Sequence, residues 1–93
     1  MNELVIAGIY DKKGGHFLNV QAYPDYTTAV RSWQLAVEKT ETFQKWPEDF
    51  ELRTLCSIDN ETGVVNEYEK QPIPATAFIK QNEEKHNTPT ARK

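Results

Sequence analysis

Hydrophobic positions along this chain follow two periods. Leu4 to Tyr10 is nearly continuous in apolar residues, which predicts a strand that is central or covered on both faces. Asp11-Lys12-Lys13-Gly14-Gly15 reads as a hairpin turn, with two glycines available for positive φ. His16 to Ala22 then alternates. Phe17, Asn19 and Gln21 share one face, and Leu18, Val20 and Ala22 share the other, which is apolar and expected to point to the core. Gly8 is expected to admit a close neighbour, such as an aromatic ring from a helix. After Tyr23-Pro24 the period lengthens. Tyr26, Ala29, Val30, Trp33 and Val37 fall on one helical face, predicting a helix from about Tyr26 to about Thr40 with Asp25 as its N-cap. Trp33 is the expected anchor, its indole N–H reaching a backbone carbonyl or water. Thr40 to Lys45 is poor in helix formers and is expected to loosen into a loop before Pro47.

The stretch from Trp46 to Gly63 holds a helix stop, a strand and a turn. Pro47 cannot continue a helix. Leu52, Thr54, Cys56 and Ile58 alternate with Arg53, Leu55 and Ser57, the period of a strand. Asp59 to Gly63 is a turn, since Asp and Asn bond locally to backbone and Gly63 supplies positive φ. Val64 to Glu69 reads as a fourth strand with the charges of a sheet edge. Ala75 to Ile79 is a short apolar segment for packing along the domain or onto a partner. Residues 80–93 have no apolar period. The expectation is an α+β fold: a four-stranded antiparallel β-β-α-β-β sheet with one helix on one face. It forms a single domain over residues 1–79, with a flexible, disordered C-terminal tail over 80–93. One helix leaves a sheet face open. Phe17 and Leu55 sit there if the other phase faces the helix, and a homodimer would hide them.

Composition narrows the class. The chain has 93 residues, one domain's worth, and a single cysteine, so no internal disulfide forms. The apolar run Leu4 to Ile9 is too short for a signal sequence or a membrane span, and a cytoplasmic protein is expected. The net charge of −3 is uneven. Lys80, Lys85, Arg92 and Lys93 against Glu83 and Glu84 make 80–93 net positive, leaving residues 1–79 with seven basic and twelve acidic side chains. An acidic body counts against a general phosphate-binding surface.

Catalytic candidates are few. Cys56 lies on the apolar phase of its strand, where a core role is expected. The histidines are His16, beside the glycine turn, and His86, in the tail; neither Ser32 nor Ser57 sits in a nucleophile elbow. Asp59 and Glu61 suit turn chemistry better than a metal loop, which needs more oxygen ligands. No enzyme activity, metal or cofactor is therefore expected. Glu48, Asp49 and Glu51 form an acidic cluster, either solvated or an interface for a basic partner. For nucleic acid the best patch is the hairpin: Lys12 and Lys13 at its tip, Tyr10 and His16 at its base, and Phe17 next along. Arg53, Lys70 and the tail cations extend it.

Several of these positions together resemble a known family. They are Tyr10-Asp11, Phe17, the Pro24/Asp25-started helix with Ala29, Val30-Arg31 and Trp33, then Phe43, Pro47-Glu48-Asp49-Phe50, Leu52, and Ile58-Asp59-x-x-Thr62-Gly63. The pattern resembles the small nonstructural protein of gokushoviruses, the Microviridae subfamily of single-stranded DNA phages, over roughly residues 4 to 79. That resemblance implies a replication accessory that binds single-stranded DNA, tied to the switch to single-strand synthesis and to packaging. The motif residues themselves read as structural: helix stop, core anchor, turn glycine. The alternative is an interaction module for a host or viral protein, using the acidic surface or the open sheet face without DNA contact.

Overall fold

The computed structural model describes residues 3–79. Strands β1 (Glu3–Asp11) and β2 (His16–Tyr23) form the first hairpin. Helix α1 (Tyr26–Lys39) follows, then a short helix α2 (Glu41–Lys45) and a 3-10 turn (Pro47–Asp49). Strand β3 (Phe50–Asp59) returns through the centre, followed by two-residue strands β4 (Val65–Asn66) and β5 (Ile73–Pro74). The sheet runs β2-β1-β3-β4, antiparallel throughout, and β5 pairs with the start of β3. The expected four-stranded sheet with a helix on one face is the observed architecture. The tail expected over 80–93 lies outside the described residues.

Local chemistry accounts for the ends of these elements. The Asp25 carboxylate accepts the Thr28 N–H at 2.8 Å and caps α1. Gly15 (φ 74°) and Gly63 (φ 80°) close the two hairpin turns in the left-handed region, where a Cβ is disfavoured. Between the sheet and α1 lies one core of Ala7, Ala29, Trp33, Val37, Phe43, Phe50, Leu52 and Ala75. Trp33 is 2% exposed and donates its indole N–H to the Ile73 carbonyl at 2.8 Å. That bond meets the demand of a buried indole and ties β5 to the helix.

Several details differ from the sequence expectations. Thr40 to Lys45 does not loosen: α2 forms because Phe43 enters the core, edge-on to both Trp33 (5.1 Å) and Phe50 (4.9 Å). Gln44 fastens it by donating to the carbonyls of Val37 and Glu38, free acceptors at the end of α1. On β2 the apolar set faces away from the helix. Leu18 and Val20 are each 48% exposed, because the pairing of Val20 with Gly8, next to the buried Ala7, turns this side of β2 to the face that α1 leaves open. The neighbours of Gly8 are therefore Val20 and Phe17 from β2, on the open side, and not an aromatic from the helix.

The alternation along β3 is broken by a bulge. Ile6 pairs with Cys56 and Ala7 with Thr54, so Leu55 is the extra residue. Beyond it the faces exchange. Cys56 becomes a half-buried residue on the open side, and Ser57 becomes the fully buried one. The fourth strand shrinks from the expected six residues to Val65–Asn66, both exposed. Ala75 is fully buried, and Phe78 and Ile79 pack against the core, so this apolar segment packs within the domain.

Candidate nucleic-acid interface

The face of the sheet opposite α1 gathers four of the side chains that the sequence singled out. Cross-strand partners share a face, so the registers Phe17–Tyr10–Glu51 and Val20–Gly8–Arg53 place two rows side by side. A bulge between Ile9 and Tyr10 makes Leu18 the extra residue and brings Phe17 opposite Tyr10. Their rings meet edge to face, with centroids 5.0 Å apart. Gly8 gives the second row room. A Cβ there would lie 2.8 Å from Val20 Cγ2 and 3.1 Å from Phe17 Cδ1.

Arg53 fills the other side of this row. Its guanidinium carbon sits 3.9 Å from the centre of the Tyr10 ring, a cation–π stack. Its Nε donates to Glu51 Oε2 at 2.6 Å, and Lys12 Nζ lies 3.9 Å from Glu51 Oε1. Glu51 is 8% exposed, which a carboxylate tolerates because two cations share it. Sequence reasoning placed Glu51 in an acidic cluster, either solvated or an interface for a basic partner. Arg53, two residues along β3, shares its face by strand alternation, and the register at Tyr10 adds Lys12.

The hairpin tip is held in place by backbone. Lys12 N–H donates to the Asp49 carbonyl at 2.8 Å, and Gly14 N–H to Asp11 Oδ1 at 3.0 Å. Lys12, Lys13 and His16 are all exposed there. Lys70 does not join the group. Its backbone N–H donates to the Thr54 hydroxyl, and its ammonium lies 5.2 Å from the Tyr26 ring and 5.7 Å from the Tyr68 ring, on the helix side of the sheet. One exposed aromatic was missed. Trp46, 52% exposed, sits at the same end of the sheet with Lys45 Nζ 5.4 Å from its ring. Its position directly before Pro47 suggested only a helix stop.

The other candidates resolve into structure. Asp59 Oδ1 accepts from the N–H groups of Glu61 (2.8 Å) and Thr62 (3.1 Å), so the turn carboxylate is engaged locally. Those two donors, Glu61 first, hold the Asp59 carboxyl below its usual range. The Asp25 carboxyl is lowered in the same way by its side-chain and backbone bonds to Thr28. Among the described residues no group of three or more His, Cys, Asp or Glu is placed to hold a metal ion, and no helix is long and apolar enough to cross a membrane.

Residues 4–80 match the family described as Phage ORF5 protein. No curated protein and no solved structure matches the chain. The match spans most of the sequence, and the chain belongs to this family: it is a small phage-associated protein.

Proposed function

We propose that this member of the Phage ORF5 family is a non-catalytic accessory of phage replication that binds single-stranded DNA on its open sheet face. We further assign it to the small nonstructural proteins of gokushoviruses, with a part in the switch to single-strand synthesis and packaging. The observation that carries the binding role is the Tyr10–Phe17 pair with Arg53 stacked on Tyr10 and Lys12 alongside. Aromatic faces beside cations on an uncovered sheet offer bases a stacking surface and phosphates a counter-charge, without reading sequence.

The acidic body shapes how such binding works. Glu51 already neutralises part of the charge of Arg53 and Lys12, so stacking contributes more than Coulomb attraction. Few phosphates are neutralised, and the salt slope is modest, about −0.7 in log K per log salt for each phosphate contact on a single strand. The test is fluorescence anisotropy with labelled single-stranded and duplex oligonucleotides at two salt concentrations. The wild type is expected to prefer the single strand. Phe17→Ala and Lys12→Glu/Lys13→Glu should each weaken binding, and only the lysine variant should flatten the salt dependence. Quenching of the exposed Trp46 provides a label-free check. Absence of binding at low salt refutes the proposal.

One observation favours the second reading, a module for a protein partner. Leu18, Val20 and Leu55 are exposed apolar side chains on a body that carries more acidic than basic residues. Salt-insensitive capture of a protein, with no response to oligonucleotide, is the result that distinguishes it.

A further inference from the structure

Strand β2 ends the sheet, and among the described residues nothing pairs with its outer edge. Proteins usually protect such an edge with charge, proline or brevity. The opposite side of the sheet is protected in these ways. There β3 is flanked by two-residue strands, one of them containing Pro74. By contrast β2 is eight residues long and contains no Asp, Glu, Lys, Arg or Pro. Residues 14–24 form the longest stretch of the sequence without a charged side chain, on a body whose charges otherwise repel a second copy.

We propose that β2 pairs antiparallel with β2 of a second copy about a two-fold axis, joining two sheets edge to edge. Antiparallel partners must share a face, so the axis passes through a residue and not between two. The bulge at Leu18 removes the start of β2 from regular pairing and leaves Asn19 to Tyr23 paired with Val5 to Ile9. The centre of that run is Gln21. With the axis there, Gln21 faces its own counterpart, Val20 meets Ala22 of the second copy, and Asn19 meets Tyr23. Apolar side chains then meet on the open face, and amides meet on the helix side at the centre. The exposed Val20 finds cover, and the free backbone donors and acceptors of β2 find partners. This pairing differs from a dimer that stacks two open faces, because it leaves both Tyr10–Phe17 patches exposed on one continuous face. It stands independently of any nucleic-acid role.

The test uses the full chain without nucleic acid. Sedimentation equilibrium is expected to show a monomer–dimer equilibrium. Gln21→Lys places like charges opposite each other at the axis and should shift the protein to monomer, with an unchanged circular dichroism spectrum because Gln21 is exposed. In a Cys56→Ser background, Gln21→Cys should cross-link to a disulfide dimer on mild oxidation. Leu55→Cys, an exposed position on β3, should not. A monomer at every concentration overturns the proposal. So does a dimer that Gln21→Lys leaves intact, or one in which Leu55→Cys cross-links as fast as Gln21→Cys.

Discussion

Replacing Trp33 by Phe tests the main tie between the helix and the end of the chain. The indole is 2% exposed, and its N–H is the partner of the Ile73 carbonyl at 2.8 Å. Phe keeps an aromatic ring in the core but removes the donor. A part-buried carbonyl left without its partner costs about 1–3 kcal/mol. The missing ring leaves a small cavity among Ala29, Val37 and Phe43, which adds about 1 kcal/mol. The sum, about 2–4 kcal/mol, is a large part of the 5–15 kcal/mol typical of a whole domain. Urea unfolding followed by far-ultraviolet circular dichroism measures it, and the slope m should stay constant. Trp46→Phe is the control. That side chain is 52% exposed, and its loss should change stability by no more than about 0.5 kcal/mol. Amide exchange adds a local readout, because β5 depends on the same bond. The Ala75 N–H, bonded to the Phe50 carbonyl at 3.0 Å, should exchange faster in Trp33→Phe. If Trp33→Phe costs no more than Trp46→Phe, the indole–carbonyl tie does not hold the segment as argued.

Three further outcomes follow from the same geometry. Gly8→Ala forces a Cβ to 2.9 Å from the Asn19 carbonyl oxygen, which cannot rotate away; a loss of about 1–3 kcal/mol is expected in thermal unfolding, and a neutral result refutes the close approach. Phe43→Ala should cost about 3–5 kcal/mol and unravel α2, seen as lost helical signal and lost protection at Gln44. Asp25 and Asp59 have lowered folded-state values, so their contribution to stability is complete above the ordinary value of 3.8 and disappears as pH falls through the lower folded values. Asp25→Asn/Asp59→Asn should therefore show a shallower acid-side fall in Tm than the wild type, and parallel curves would count against those hydrogen bonds.

The elements that the sequence announced are those with local causes. Asp25 caps α1 with its own carboxylate, Gly15 and Gly63 take the positive φ that their turns require, and the Tyr26–Val37 stripe forms a helix because one face can be buried. Trp33 was legible as an anchor for the same reason. What the sequence concealed depends on partners far along the chain. The bulges at Leu18 and Leu55 exist only relative to β1, and each reverses the face assigned by simple alternation. Hence Phe17, expected on the face opposite Val20, shares that face, and Cys56 exchanged places with Ser57. Helix α2 defied its propensity because Phe43 had two rings to meet. At the candidate interface, Tyr10, Phe17, Lys12 and Arg53 lie side by side, although Arg53 is distant in sequence. Glu51 meets Arg53 along its own strand and Lys12 only through cross-strand register, and Lys70 was drawn to the tyrosines of the opposite side.

The strand order β2-β1-β3-β4 also sets a timetable for folding. The β1–β2 hairpin and α1 are built from near neighbours and can form as soon as residues 3–39 are available. The second neighbour of β1 is β3, and the pair in that ladder closest in sequence is Asp11 with Phe50. Closing so long a loop carries an entropic cost that the first contacts do not offset, so docking of β3 is the slow, committing step. Until then the apolar strand Leu4–Tyr10 has one edge unpaired and Trp33 has no Ile73 carbonyl to meet. A nascent chain interrupted before Asp59 is therefore sticky rather than half-folded, and the domain becomes safe from aggregation only near the end of its own synthesis.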